Sequence, residues 1–269
     1  MRKAMVVRAG SALGSELMKR LEAQGTEVTA VFKPGKRTAQ ELFDAAEGAD
    51  VIFYGTHLRY DDEPEKARRL TETVMEAARR SGAKVVRIDG IYQPPEEADP
   101  WADTSGSPPS VLRIQSPELY GASVKNTIIY YMLKKLAHGK KVTTLGSLDA
   151  PREYLYLPDA AGRIVELASW ESAYGQTWNI RSGSEVSLRQ LLQAAGEAIG
   201  VKPILEPIGG WKLRLLHRYD TRISGLLDRY ELSTQTQHKD QMALMGTVPV
   251  TPYAIGAAET IRSMMARKE

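Results

Sequence analysis

Residues 6–17, VVRAGSALGSEL, decide the fold predicted for this chain. A short apolar run leads into this stretch, and behind its glycines leucines recur at the spacing of an amphipathic helix until Gly25. Residues 27–32 then form a second apolar run that predicts a strand. A strand, a glycine-bearing turn, a helix and a strand within about thirty residues predict a βαβ unit of the nucleotide-binding type.

The same alternation continues along the chain. Short runs rich in Val and Ile predict further strands at 51–54, 85–88, 111–114 and 178–180. Helical patterns separate or follow them, beginning near 38, 65, 126, 158, 187 and 252, and two of these helix starts have capping-box spacing, at 38–41 and 187–190. Strands that alternate with helices favour a parallel sheet covered on both faces. The predicted fold class is therefore α/β, a doubly wound parallel sheet of the Rossmann type.

The domain organisation follows from where this alternation stops. The sequence predicts a Rossmann core over 1–180, in which 116–150 contribute to a substrate cleft, and a small, mostly helical substrate-binding lobe over 181–269. Residues 93–110, QPPEEADPWADTSGSPPS, show no periodicity and predict a loop. The stretch 211–222 is interpreted as an amphipathic helix, with closure over the substrate or a homodimer contact as the functional alternatives.

Composition excludes several classes of protein. The chain has 269 residues and a net charge of +3 without a dense Lys/Arg tract, which argues against a nucleic-acid partner. It has no cysteine, so no thiolate chemistry, and its four histidines form no i,i+4 pair that would indicate a metal site. No apolar run approaches the roughly 18 residues of a membrane span. The default expectation is a cytoplasmic protein without metal or membrane partner.

Five short motifs occur in a characteristic order: 10–14 GSALG, 89–92 DGIY, 118–121 ELYG, 152–161 REYLYLPDAA and 177–180 TWNI. In their order and spacing the chain resembles the extended short-chain dehydrogenase/reductase family, in particular its atypical, NAD-dependent epimerase/dehydratase-like branch. The resemblance covers residues 1 to about 265. It implies a core that binds NAD or NADP and a lobe that binds a nucleotide-sugar or other small substrate. Where the family chemistry is intact, it implies hydride transfer assisted by a tyrosine and by a lysine four residues later.

The glycine-rich loop departs from the family pattern. Arg8 and Ser11 occupy two of the three glycine places, and Gly14 occupies the third. Two interpretations of Arg8 stay open: it pairs with a phosphate, or it blocks the approach of the diphosphate. Because the helix start behind the loop still favours an anion, the predicted cofactor-binding residues on the strand ends are Arg8, Gly10, Ser11, Ala12, Leu13, Gly14, Gly55 and Thr56.

The second departure concerns the choice of cofactor. An NAD-binding chain places Asp or Glu about twenty residues after the loop, on the ribose hydroxyls. Here Lys33, Lys36 and Arg37 stand in that region instead. Three cations favour a 2′-phosphate and so predict NADP, with NAD as the alternative cofactor. The structural alternative is a solvated basic loop.

The third departure concerns catalysis. Tyr130 and Lys134, and likewise Tyr131 and Lys135, have the spacing of the family's catalytic pair, but they follow Tyr120, whereas the family's pair precedes the corresponding segment. On an amphipathic helix this spacing arises easily. Where the catalytic helix belongs, the chain has only the loop ADTSGSPPS. The usual Tyr/Lys pair is therefore missing, through loss of the machinery or because the sequence is an abbreviated form.

The remaining candidates are polar residues near the predicted strand ends. The candidate catalytic residues are His57, Asp89, Tyr92 and Tyr120. For two of them structural alternatives stay open, a satisfied surface or core group for His57 and a turn cap for Asp89. The resemblance implies a substrate-binding set of Glu118, Tyr120, Asn126, Arg152 and Tyr156. Arg152 is the candidate for an anionic substrate group, and Asp159 is expected to cap the helix that it begins.

Three functional hypotheses follow. The leading one is an atypical NAD(P)-binding reductase or epimerase acting on a small substrate of nucleotide-linked type. The second is a non-catalytic NADP-binding sensor or partner-binding module on the same fold. The third is a Rossmann-like scaffold that binds no dinucleotide because Arg8 fills the site. A homodimer is an open alternative in each case.

Overall fold

The computed structural model describes residues 1–32, 39–56, 59, 62–91, 110–144, 147–208, 243–244 and 250–266. The strands in chain order are β1 (Lys3–Val7), β2 (Glu27–Val31), β3 (Val51–Thr56), β4 (Lys84–Asp89), β5 (Val111–Gln115), β6 (Glu118–Tyr120), β7 (Val142–Thr144), β8 (Pro151–Arg152), β9 (Tyr154–Tyr156), β10 (Thr177–Ile180), β11 (Val186–Ser187), β12 (Leu205–Pro207) and β13 (Ala243–Leu244). The helices are α1 (Ala12–Ala23), α2 (Ala39–Ala46), α3 (Pro64–Ser81), α4 (Ile128–Ala137), α5 (Leu157–Ala168), α6 (Leu188–Glu197) and α7 (Tyr253–Ala266), with a 3₁₀ turn at Glu171–Ala173.

The central sheet has seven strands in the order β13-β10-β5-β4-β3-β1-β2, and every neighbouring pair is parallel. Strand β2 lies on one side of β1, whereas β3, β4 and β5 follow one another on the other side of β1. Strand order therefore reverses between β1 and β3. In open α/β sheets this reversal creates a crevice at the carboxyl ends of the two strands.

Helices cover both faces of the sheet. One face of β1, β3, β4 and β5 packs its apolar side chains, among them Val6, Phe53 and Ile88, against α1 and α5. The other face, with Met5 and Ile52, packs against α2 and α3. The near-continuous Val/Ile runs are buried on both sides, as parallel strands require. The predicted doubly wound parallel sheet is confirmed.

A second apolar core lies beside the first. It joins α4, α6 and α7 with Tyr120 of β6 and Tyr154 of β9. Residues on both sides of 180 supply this second core, from α4 and β7 before it and from α6 and α7 after it. Strand β13 also adds an edge strand to the central sheet beside β10. Small two-stranded pairings, β7 with β12 and β8 with β11, connect the two parts of the chain.

Capping explains where several helices begin. Ser187 and Gln190 form the predicted capping box of α6. The predicted helix at 126 starts instead at Ile128, because Asn126 has a left-handed φ of 60° and the Thr127 hydroxyl caps the helix by accepting a bond from the Tyr130 amide. Of the other sequence predictions, the cap at Thr38, the loop 93–109 and the stretch 211–222 lie outside the described residues.

One helix-start prediction is wrong. Asp159 does not cap α5. Its carboxylate accepts bonds from the Thr251 amide at 2.8 Å and from the Thr251 hydroxyl at 3.0 Å. The side chain of Asp159 is 6 % exposed, so it is satisfied by the segment that leads into α7 and not by its own helix. Among the described residues, no helix is long and apolar enough to cross a bilayer.

Candidate functional site

A cleft of about 690 Å³ opens at the carboxyl ends of β1 and β3, where the strand order reverses. Its walls are the start of α1, the end of β2, the first half of α2, and α3 with the residues just before it. The predicted cofactor-binding residues that line it are Arg8, Gly10, Ser11, Leu13, Gly14 and Gly55. The reversal of strand order thus brings the predicted loop and the end of β3 into one cavity.

The loop after β1 keeps a glycine-type backbone although Arg8 occupies the first glycine place. Arg8 has a φ of 59°, in the left-handed region that L-residues other than Gly, Asn and Asp rarely adopt. A Cβ placed on Gly14 would lie 2.4 Å from the Arg8 carbonyl oxygen and 2.9 Å from the Ala9 Cα. The first turn of α1 therefore packs directly on the loop, an approach that only glycine permits at position 14.

Ser11 begins α1 as its N-cap. Its hydroxyl accepts a hydrogen bond from the Gly14 amide at 3.0 Å, so one of the amides at the helix start is already satisfied. The side chain of Leu13 is 4 % exposed and packs in the core, so only its backbone could contact a ligand. The start of α1 carries a partial positive charge, which favours an anion beside it.

The Arg8 side chain crosses to the other wall of the cleft. Its Nη1 lies 3.1 Å from Oδ1 of Asp62, just before α3, and Oδ2 of Asp62 accepts a bond from the Arg59 amide at 3.2 Å. The Arg8 side chain is 30 % exposed and that of Asp62 is 7 % exposed. The guanidinium is thus held by a carboxylate while still lining the cleft.

Asp89 lies buried at the end of β4, beside the end of β3. Its Oδ1 accepts bonds from the Thr56 hydroxyl at 2.5 Å and from Nε of Arg87 at 2.8 Å, and its Oδ2 lies 3.4 Å from Nε of Arg113. The Asp89 side chain is 2 % exposed. Two arginines and a hydroxyl therefore surround this carboxylate, which makes it part of a buried ion-pair network. Thr56 is buried in the same network, and it does not line the cleft.

Two candidate tyrosines face each other where β6 pairs with β9. The rings of Tyr120 and Tyr156 are 5.4 Å apart. Tyr120 is 1 % exposed, and a Cβ on Gly256 of α7 would lie 2.4 Å from its hydroxyl. The Tyr156 hydroxyl donates a bond to Glu259 at 2.8 Å.

Burial raises the pKa of both phenols above the usual value. The Asp159 charge adds to this pKa increase at Tyr120, and the bond to Glu259 adds to it at Tyr156. A tyrosine that works as a base needs the opposite shift, of the kind a nearby lysine provides.

Of the other predicted substrate residues, Glu118 and Asn126 make hydrogen bonds near the start of α4, and Arg152 lies on β8. Oε1 of Glu118 accepts a bond from the Ile129 amide at 3.2 Å, and Oδ1 of Asn126 accepts one from the Tyr131 hydroxyl at 3.0 Å. Arg152 is 8 % exposed on β8. The pairing of β6 with β9 brings Glu118, Tyr120 and Tyr156 together, whereas neither Asn126 nor Arg152 lies on these two strands.

Several predicted site residues have no described placement. His57 and Tyr92, two of the candidate catalytic residues, lie outside the described residues, as do Lys33, Lys36 and Arg37. Their roles stay predictions.

The cleft also contains residues that the sequence did not indicate. Phe32 and Asp62 line it, and so do Lys66, Arg69 and Thr73 of α3. The last three are spaced i, i+3 and i+7, which places them on one side of the helix. That spacing is visible in the sequence, but which wall the helix side faces depends on how α3 packs.

The sheet order, the reversal at β1 and the closely packed helix start define a Rossmann-type fold of the class that carries dinucleotide sites. Solved structures of nucleotide-sugar enzymes share this fold over nearly the whole chain. MoeE5, solved in complex with UDP-glucose and NAD, matches with a TM-score of 0.72 at 18 % identity over 99 % of this chain and 100 % of its own.

Two further structures match in the same way. UDP-N-acetylglucosamine 4-epimerase from Bacillus cereus has a TM-score of 0.66 at 18 % identity, over 99 % of this chain and 97 % of its own. A GDP-L-fucose synthetase from Naegleria fowleri, bound to NADP, has a TM-score of 0.63 at 12 % identity, over 99 % of this chain and 95 % of its own. No protein-family model matches the sequence, and no curated protein sequence matches it significantly. The predicted resemblance to the extended short-chain family is confirmed at the level of the fold.

Proposed function

We propose that this chain is an NADP-binding protein of the extended short-chain type, with NAD as the alternative cofactor, and that the cleft at β1 and β3 holds the dinucleotide. The observation that carries the proposal is the contact between the helix start and the loop, where Gly14 leaves no room for a Cβ beside Arg8. This packing presents the start of α1 directly to the cleft. Such a helix start is the part of a Rossmann fold that receives the diphosphate.

In this proposal each described residue of the loop has a part in binding. The backbone from Ser11 to Gly14 lies beside the diphosphate, and Arg8 supplies a positive charge at its edge, in exchange for part of its contact with Asp62. Lys33, Lys36 and Arg37 contribute charge for the 2′-phosphate, as the sequence indicates. The bound cofactor would supply the hydride-transfer chemistry.

We further propose an epimerase- or reductase-like activity on a small substrate, with nucleotide-linked sugars as the first class to test. MoeE5 was solved with UDP-glucose, and other structures of this fold are nucleotide-sugar epimerases. The substrate region would be the pairing of β6 with β9, where Glu118 and Tyr156 lie, and the predicted lobe over 181–269 would contribute to substrate binding. The predicted cytoplasmic location is part of this proposal, with a homodimer as an open alternative.

A second candidate function is a non-catalytic NADP-binding sensor. It is favoured because candidate catalytic groups already contact other parts of the protein: Asp89 pairs with Arg87 and Arg113, and Tyr120 is buried against α7. The raised pKa of the Tyr120 phenol opposes its use as a base. A protein of this kind would bind the cofactor without turning it over.

Titration of the full chain with NADPH and with NADH, followed by nicotinamide fluorescence, tests the proposal. We expect saturable binding of NADPH. Incubation with UDP-glucose and UDP-N-acetylglucosamine, analysed for epimer formation and for NADPH oxidation, then separates the two candidates. Binding with turnover supports the enzyme, and binding without turnover supports the sensor. Failure of both cofactors to bind would refute the proposal and leave a Rossmann-like scaffold.

A further inference from the structure

The cleft has a second group of lining residues besides the loop after β1 and the start of α1, and we call the part that they line the outer cleft. Its walls are the Phe32 side chain at the end of β2, Leu42 of α2 and Leu70 of α3. Lys66 and Arg69 stand at the rim of the same α3 wall. The outer cleft therefore combines an apolar, partly aromatic lining with a cationic edge.

Among the described residues, Phe32 is the one exposed large apolar side chain that lines the cleft. It is 55 % exposed, although it directly follows the buried Val31 at the end of β2. A Cβ on Gly10 would be in ordinary contact with its ring at 3.4 Å, so the ring lies against the loop that follows β1. An exposed aromatic ring inside a cleft offers a flat surface on which a base can stack.

The cations of α3 are arranged toward the cleft. Val74, Ala77 and Ala78 of α3 belong to the apolar core on one face of the sheet. The side chains that line the cavity from the same helix are Lys66, Arg69, Leu70 and Thr73. Lys66 pairs with Glu63 at 2.8 Å and Arg69 with Glu65 at 2.9 Å, and all four side chains are more than half exposed. Exposed ion pairs of this kind contribute little and exchange readily for a stronger partner such as a phosphate dianion.

We propose that the outer cleft binds the adenine 2′-phosphate end of NADP between Phe32 and the α3 wall, with Lys66 and Arg69 as specificity-determining contacts for the phosphate. This inference rests on the proposed cofactor binding, and it assigns the discrimination against NAD in part to α3. The base stacks on Phe32 and packs against Leu42 and Leu70. The phosphate lies at the rim, where both cations reach it from one side of α3.

The test compares calorimetric titrations with NADPH, NADH, 2′,5′-ADP and 5′-AMP. In the double variant K66Q/R69Q we expect the affinity for NADPH and 2′,5′-ADP to fall about tenfold or more, because charge-assisted bonds are lost. The affinity for NADH and 5′-AMP should stay within about twofold. The matched control R79Q/R80Q removes two charges from the same helix at residues that pair with Glu76 and do not line the cleft, and it should leave all four affinities unchanged.

Phe32→Leu addresses the stacking surface separately. It should weaken all four ligands by a similar factor of about five or more, since every one carries adenine. An unchanged preference for NADPH over NADH in K66Q/R69Q would overturn the assignment of the phosphate, even with cofactor binding intact. Binding of 2′,5′-ADP by a wild-type protein that fails to bind NADPH would support the subsite and refute the proposed cofactor function. Failure of all four ligands would refute both.

Discussion

The strained backbone at Arg8 leads to a prediction in which glycine is more stabilising than alanine. At most positions alanine is favoured over glycine by about 0.5–1 kcal/mol, because glycine loses more conformational entropy on folding. Arg8 has a φ of 59°, and a left-handed residue with a Cβ costs about 1–2 kcal/mol. Arg8→Gly removes this cost, whereas Arg8→Ala keeps it. Both variants lose the ion pair with Asp62, so its contribution cancels between them.

The expected difference follows from these two opposing quantities. Subtracting the entropy cost from the backbone strain leaves Arg8→Gly more stable than Arg8→Ala by about 0.5–1 kcal/mol. With a urea m-value of roughly 2–3 kcal/mol/M, the midpoint of unfolding should differ by about 0.2–0.5 M. Urea unfolding followed by circular dichroism, with both variants prepared in parallel, resolves a difference of this size.

A control position calibrates the measurement. Gly25 has a φ of 77°, and a Cβ on it would meet no atom within 4 Å, so Gly25→Ala measures the left-handed penalty without a steric clash. We expect Gly25→Ala to lower the unfolding midpoint. If Arg8→Ala is as stable as Arg8→Gly while Gly25→Ala is destabilised, the loop does not hold a glycine-type conformation at position 8. In that case the loop would not keep the backbone architecture of a dinucleotide site.

Two further predictions concern the cleft and its floor. Gly14→Ala should destabilise the protein by about 1–3 kcal/mol and weaken NADPH binding, because its Cβ would lie 2.4 Å from the Arg8 carbonyl oxygen. Gly10→Ala is the matched control, because its Cβ would make only an ordinary contact. Equal urea midpoints for the two variants would contradict the close packing at Gly14. Asp89→Asn should lower the free energy of unfolding, measured with urea, by about 3 kcal/mol, because it removes the carboxylate that Arg87 and Arg113 face. Loss of turnover with unchanged stability in Asp89→Asn would point instead to a catalytic base.

The structure also changes how the resemblance is to be interpreted. The family's catalytic tyrosine needs a lowered pKa, but burial raises the pKa of the tyrosines placed near the predicted substrate region, Tyr120 and Tyr156. The overlapping Tyr/Lys pairs lie on α4, where Tyr131 is 41 % exposed and bonds to Asn126. Lys135 donates to the Thr143 hydroxyl of β7. Their contacts are with neighbouring surface segments, which fits the amphipathic-helix alternative given by their spacing.

Local pattern alone determined the elements of this chain and their class. Hydrophobic period, glycine stops and capping residues depend on neighbours within a few positions. Six of the seven strands of the central sheet, most helix limits and the alternating α/β order could therefore be predicted from the sequence, whereas the strands of two or three residues could not. The α6 capping box from Ser187 to Gln190 is an example, because both partners lie within one turn. The glycine place at Arg8 was also identifiable, since it is defined by its spacing from Gly14.

Long-range packing decided the rest. Asp159 has the local position of a helix cap, yet it bonds to Thr251, 92 residues away, because the segment before α7 folds against the start of α5. Asp89 has the local position of a base or of a turn cap, and only the register of β3, β4 and β5 places Thr56 and two arginines around it. The α3 wall of the cleft could not be predicted either, because a helix pattern identifies an apolar side but does not specify which cavity the adjoining polar strip will face.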